Sequence, residues 1–341
     1  MKQLACLDRN VVGWREVSLQ PPRPDQVRIR CLHGVEKHGT MMAFVRGYAN
    51  DRGRWDSERL LHVPEGMLWS YPVPLGNMQY GEVVEAGTEC RRLRPGDRVC
   101  VSAPFQPEVV ADEAECWRVP EGVDWRDALL LDPCEFALGA LRDGGVRIGD
   151  RIAVFGMGAI GLCCVQLAKA AGATLVVALD PIGRRREAAQ QCGADLTVDP
   201  TQGDVGLALR DATGGRGPDV IVDFSGAAKA LQQAIRGIAY GGTIVLGAFP
   251  PPHREGLDFG GEFHMNRPRL VSSRACSDPN PDHPRWSHRR IQEECFELIC
   301  RGAVRGEPVL GPTVPFEQLP DAYLRVAGEP AASVKLTVDY V

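Results

Sequence analysis

The chain has 341 residues, 44% of them hydrophobic, enough for two domains of ordinary size with filled cores. A formal net charge of −5, with no basic cluster longer than Arg184–Arg186, excludes a nucleic-acid-binding tract. No stretch approaches ~20 apolar residues and the N-terminal region is polar and Pro-punctuated, so a soluble, cytoplasmic protein with neither membrane nor nucleic-acid partner is expected.

Residues 1 to about 120 carry short alternating runs such as Gln26–Cys31, Gly81–Gly87 and Asp97–Ser102, closely spaced by turn residues. That spacing predicts a compact β-barrel or sandwich. Tyr48–Pro72 interrupts it with a segment of poor periodicity, read as a surface excursion or a lid over a pocket. From Asp124 the spacing turns helical, through Trp125, Leu129, Leu130, Phe136, Leu138 and Leu141, and Pro133 is expected to break it in the middle.

Residues 151–180 have the layout of a dinucleotide-binding βαβ unit. An apolar run, Arg151–Phe155, leads into Gly156-x-Gly158-x-x-Gly161, a helical pattern Ala159–Ala171 follows, and Thr174–Leu179 is a second strand ending at Asp180. Gly156 permits the tight turn, Gly158 removes the side chain that would block a pyrophosphate, and Gly161 allows helix and strand to pack closely. Free N–H groups at the helix start, around Ala159 and Ile160, favour the phosphates. Asp180 stands about 20 residues past the last glycine, where a carboxylate accepts from ribose hydroxyls.

Further alternation follows: helix Arg184–Cys192, strand Leu196–Val198, strand Asp219–Gly226, helix Ala228–Ala239 and strand Gly242–Gly247. Such alternation specifies a parallel sheet covered by helices on both faces. Ligands bind at the carboxyl ends of those strands, so the backbone of Ser225, Gly226, Leu246 and Gly247 is expected at the nicotinamide. A Pro- and Asp-rich loop, Pro279–Pro284, then leads to helical patterns at Arg290–Cys300 and Phe316–Val326 and a strand at Ser333–Val338. The twelve cysteines form no C-x-x-C pair, and most are expected as small buried hydrophobes; Cys134 is read as packing.

Gly81–Gly87, Leu93–Val101, Val146–Gly156 and Gly241–Gly247 together resemble the medium-chain dehydrogenase/reductase superfamily of alcohol and sugar-alcohol dehydrogenases. The resemblance covers nearly the whole chain. It implies an α/β fold with a GroES-like β-barrel catalytic domain at 1–132, a Rossmann doubly wound parallel-sheet domain at 133–275 and a C-terminal segment, 276–341, returning to the catalytic domain. It also implies that cofactor and substrate meet in a cleft between the domains. A homodimer or homotetramer is expected.

Zinc-dependent members carry three ligand motifs. Here His38-Gly39-Thr40-Met41 stands at the first, Gly76-Asn77-Met78 at the second and Asp132-Pro133 at the third. Asn77 offers a neutral amide, so His38 and Asp132 alone would make a weak site, and neither catalytic nor structural zinc is expected. A protein base must then replace the metal. His38 titrates nearest neutral pH and is the first choice, Thr40 stands at the family's proton-relay hydroxyl, and Lys37 or Glu36 could serve instead. Asn77 and Asp132 complete the candidate set for a hydroxylated small-molecule substrate.

Asp180 repels a 2′-phosphate and favours NAD, while Arg184 and Arg185 could neutralise one and leave NADP open. The expectation is a zinc-independent, NAD-dependent dehydrogenase acting on a secondary alcohol of a polyol, cyclitol or sugar-like molecule, in either direction. The alternatives are an NADPH-dependent enone or quinone reductase and a non-catalytic nucleotide-sensing protein.

Overall fold

The computed structural model describes residues 1–253, 256–278 and 282–341, and of His38 the backbone only. Two compact units result, one formed by Met1–Leu129 with Leu310–Val341, the other by Leu130–Val309. Among the described residues no helix is long and apolar enough to cross a membrane.

The first unit is built on a seven-stranded sheet in which Gln26–Val35 and Gly76–Ala86 pair antiparallel, Arg98–Pro104 continues the sheet outward, and Thr337–Asp339 pairs on the other side of Gln26–Val35. Alternation drives this assembly: Val27 and Ile29 are wholly buried while Arg28 and Arg30 reach Glu85 and Glu82 on the neighbouring strand. Each buried aliphatic side chain contributes about 2 kcal/mol. Gly81 faces the neighbour's backbone so closely that a Cβ would lie 2.3 Å from the Arg30 carbonyl oxygen, so only glycine keeps the two strands in register.

A second sheet, formed by the hairpin Lys2–Asp8 and Val11–Glu16 with Val73–Pro74, was not anticipated from the polar N-terminal residues. Its turn uses Asn10 at φ 60°, a left-handed position that asparagine tolerates, in place of a glycine signal. Between the sheets, Leu4, Cys6, Phe44, Leu75, Phe105, Leu319, Tyr323 and Leu336 form one core. This is the GroES-like domain. The excursion 48–72 contains a small hairpin, Arg54–Asp56 with Leu61–Val63, and is tied down at Trp69, whose backbone N–H and carbonyl exchange two 3.0 Å hydrogen bonds with the Asn50 amide.

The second unit is a six-stranded, all-parallel sheet. Numbered in chain order within this unit, its strands are β1 Arg151–Phe155, β2 Leu175–Leu179, β3 Leu196–Val198, β4 Val220–Asp223, β5 Thr243–Leu246 and β6 Arg269–Ser272, and they lie in the order 3-2-1-4-5-6. This is the doubly wound Rossmann order, whose reversal between β1 and β4 opens the ligand crevice. The near-continuous apolar strands follow from burial on both faces: Ile152, Ala153, Val154, Val176, Val177, Ile221 and Val222 are all inaccessible to solvent.

Three details depart from the sequence-based expectation. Pro133 does not break a helix; it occupies the first turn of Leu131–Asp143, where its missing N–H has no intrahelical partner to lose. The helices Val205–Ala212 and Glu262–Asn266 and the edge strand β6 were not anticipated. Residues 276–309 lie within the dinucleotide unit rather than with the returning segment, because helix His288–Cys300 packs against Leu131–Asp143. The Pro279–Pro284 loop falls partly outside the described residues, at 279–281.

Candidate active site

In the dinucleotide unit each motif glycine has a distinct steric reason. Gly156 sits at φ 89°, and a Cβ there would come 2.7 Å from the Ser225 nitrogen. At Gly161 a Cβ would meet the Gly156 carbonyl oxygen at 2.0 Å. Gly158 differs: it caps helix Ala159–Ala170 in an extended conformation, and a Cβ there would meet nothing within 4 Å. The space over Gly158 is thus open, in front of a helix start that no side chain caps, as an anionic ligand at Ala159 and Ile160 requires.

Asp180 is buried, 3% exposed, and its carboxylate accepts the Met157 and Ile182 N–H groups, each at 2.8 Å. It therefore ties the glycine turn to the end of β2, besides standing where a ribose would bind. The Arg185 guanidinium lies 3.9 Å from the same carboxylate, and Arg186 donates to the Asp180 carbonyl oxygen at 2.6 Å while pairing with Asp199. Ser225 donates its hydroxyl to Asp223 at 2.6 Å, Gly226 takes φ 64°, and Gly247 fits against the Phe224 ring, where a Cβ would lie 2.4 Å from a ring carbon. The strand register aligns Phe155, Leu179, Asp223 and Leu246 at one edge of the sheet, so the four expected nicotinamide-side residues come together there. Asp132 is half-buried in the first turn of Leu131–Asp143. Cys134, two residues on, is fully buried, and burial pushes its thiol well above the usual value, which leaves no thiolate nucleophile.

In the GroES-like unit the pairing Val35↔Met78 places the end of Gln26–Val35 beside Asn77, which is 5% exposed. Glu36, Lys37, His38, Thr40 and Asn77 therefore share one end of the sheet. His38 opens a helix, His38–Val45, whose apolar side chains Met42, Ala43, Phe44 and Val45 are buried; its side chain lies outside what the structure describes. Glu36 is the alternative acid/base of the sequence reading. It is wholly buried, its carboxylate accepts the Leu336 N–H at 3.0 Å, and its own N–H donates to the Leu336 carbonyl at 3.1 Å. Sequence reasoning missed Lys335, 3% exposed, whose ammonium donates to the Glu36 carbonyl oxygen. The available signal was a single lysine flanked by the apolar Val334 and Leu336 just before the closing strand.

A glycine-loop Rossmann unit with a GroES-like unit defines a class of nucleotide-dependent oxidoreductases. Residues 159–289 match the family described as zinc-binding dehydrogenase. Over the full length of both chains the protein is 38% identical to D-guloside 3-dehydrogenase of Escherichia coli K12. Among solved structures, 2R,3R-butanediol dehydrogenase of Bacillus subtilis superposes with a TM-score of 0.78 at 21% identity, covering 100% of this chain and 99% of the other. A zinc-binding dehydrogenase of Sinorhizobium meliloti 1021 bound to NADP superposes with a TM-score of 0.79 at 23% identity, covering 99% and 98%. The chain belongs to the zinc-binding dehydrogenases of the medium-chain dehydrogenase/reductase superfamily. It is an oxidoreductase.

Proposed function

We propose that this protein is a zinc-independent dehydrogenase that oxidises a secondary hydroxyl of a sugar glycoside, with NAD as the hydride acceptor. The carrying observation is the full-length identity of 38% to a D-guloside 3-dehydrogenase, which singles out glycosides among the polyols and cyclitols expected from sequence. NAD is favoured by Asp180 at the end of β2, since a carboxylate there accepts from ribose hydroxyls and repels a 2′-phosphate. Arg185 beside it keeps an NADP arm in the test.

The donor chemistry supports zinc independence. A catalytic zinc takes three ligands from thiolate, imidazole and carboxylate. The second motif offers Asn77, a neutral amide, and Met78, a buried thioether, where a zinc ligand would stand. These residues do not fit the ion, and no step is routed through it.

NAD, when bound, supplies the hydride acceptor. The chain's own residues must then take the hydroxyl proton as the C–H bond breaks. That duty falls on Lys37–Thr40: His38 is the first choice of base because an imidazole can take up and give back a proton, and the Thr40 hydroxyl both donates and accepts, so it can hold the substrate oxygen and relay its proton. Asn77, at the same end of the sheet as Thr40, can donate its amide to a substrate hydroxyl. A homodimer or homotetramer acting on this small molecule alone completes the reading.

The test is NADH formation by purified protein with methyl D-gulosides and methyl D-glucosides, with sorbitol and myo-inositol beside them and NADP in a parallel series. Turnover of a glycoside with NAD, by protein holding well under one zinc per chain, is expected. Absence of turnover on every glycoside refutes the substrate class, and stoichiometric zinc refutes the metal-free mechanism.

A further inference from the structure

We infer that Lys335 is a positioning residue for the catalytic segment Lys37–Thr40 and acts through Glu36. The inference rests on the dehydrogenase reading above. The observation behind it is a contact between residues 299 apart in the chain, inside the GroES-like unit: the Lys335 ammonium donates to the Glu36 backbone carbonyl, Glu36 is wholly buried and Lys335 is 3% exposed.

Two successive residues of the returning chain make three hydrogen bonds to Glu36. Lys335 donates its ammonium to the Glu36 carbonyl, and Leu336 both donates its N–H to the Glu36 carboxylate and accepts the Glu36 N–H. Lys335 is itself anchored, since its carbonyl accepts the Gly311 N–H at 2.8 Å. The chain leaves this clamp directly into Lys37, the residue that caps helix His38–Val45 without any side-chain cap bond. The direction in which Lys37, Gly39 and Thr40 emerge is therefore set by what holds Glu36.

Stability does not account for the contact. Burying a lysine side chain costs more than burying an apolar residue of the same volume, and methionine would fill the position without that penalty. The Tyr323 phenol beside Glu36 is pushed well above its usual value by burial and by the Glu36 charge, and Cys6 in the same core is pushed up to about 11 by burial, so both remain neutral and add no competing negative charge. A buried lysine that fixes a backbone carbonyl one residue before the acid/base segment serves orientation, for which displacements of a fraction of an ångström matter.

Lys335→Met, Lys335→Arg and Glu36→Gln in the full-length protein test this with two readouts. In Lys335→Met, amide hydrogen exchange across residues 37–41 is expected to rise about tenfold or more while residues 156–161 stay unchanged, and kcat on a methyl D-guloside to fall about 10- to 100-fold with the KM for NAD unaltered. Lys335→Arg is expected to restore most of both. Exchange and kcat within twofold of wild type overturn the inference, as does a rise in exchange spread evenly over the unit, which a merely structural lysine would give. Should Lys335→Met not fold, Glu36→Gln against Lys335→Arg carries the same comparison. A wild type inactive on every glycoside refutes the proposed substrate, not the clamp, because the exchange measurement decides the clamp without turnover.

Discussion

Removing the Asp180 carboxylate cuts the link between the glycine turn and the end of β2. Both of its oxygens accept backbone N–H groups at 2.8 Å, from Met157 and from Ile182, within a site 3% exposed. A hydrogen bond to an ionised acceptor contributes ~1.5–3 kcal/mol, and a buried donor left without a partner loses that in full. The Met157 N–H is buried, so its share is about 2 kcal/mol; the Ile182 N–H is half-buried, water replaces part of its bond, and about 1 kcal/mol is lost there. Asp180→Ala is therefore expected to lower the opening free energy of residues 151–182 by about 3 kcal/mol, measured by native-state amide exchange. Asp180→Asn retains an acceptor for one donor and is expected to lose about half as much. Calorimetric titration should show NAD binding weakened more than NADP binding in the alanine variant, because only NAD loses a ribose contact to the carboxylate. An alanine variant within about 0.5 kcal/mol of wild type, with NAD binding intact, would refute the assignment.

Two further outcomes follow from local geometry. Gly34→Ala should destabilise the GroES-like unit by about 1–3 kcal/mol, because its Cβ would lie 2.2 Å from a Gln79 side chain already held by the Tyr340 hydroxyl and the Ala103 carbonyl. Gly39→Ala, with nothing within 4 Å of the added carbon and a helical backbone, should stabilise by about 0.5–1 kcal/mol in thermal unfolding; a stable but inactive Gly39→Ala protein would show that the glycine makes room for substrate. At the surface, Arg236 holds Asp204 from the ordinary carboxylate value of 3.8 down to about 2, helped by the Leu207 N–H, while Arg236 also pairs with Glu262. A depressed carboxylate contributes stability above its unfolded value and loses it as pH falls through the folded one, so the contribution disappears between about pH 4 and pH 2. Arg236→Met should flatten acid unfolding in that window at low salt, and an unchanged acid transition would contradict the pairing.

The Rossmann strands were readable because burial on both faces forces unbroken apolar runs, and Gly156 and Gly161 stand where a Cβ would clash with backbone, with Gly158 between them leaving the helix start open. Helix Val205–Ala212 had a visible start in Asp204, whose side chain accepts the Leu207 N–H, but its short apolar pattern did not stand out. Helix His38–Val45 was hidden because it opens without a capping side chain and its core-facing residues form a continuous apolar run with no helical alternation. The Glu36–Lys335 clamp was unreadable for a different reason: its partners meet only once the chain has closed, and neither end has a local pattern that names the other. The same holds for Asp180, whose position pointed to a ribose while its bond to the Met157 N–H depends on the loop's tertiary path.

The discontinuity of the GroES-like unit also dictates an order of events in synthesis. Thr337–Asp339 lies inside the sheet, between Gln26–Val35 and Thr313–Pro315, and is made only after all of Leu130–Val309. The dinucleotide unit, continuous in the chain, can complete its fold on the ribosome, while the N-terminal sheet waits with the His33–Val35 end of Gln26–Val35 unpaired on one side. During that interval the buried clamp on Glu36 is still open, since Lys335 and Leu336 are also made last.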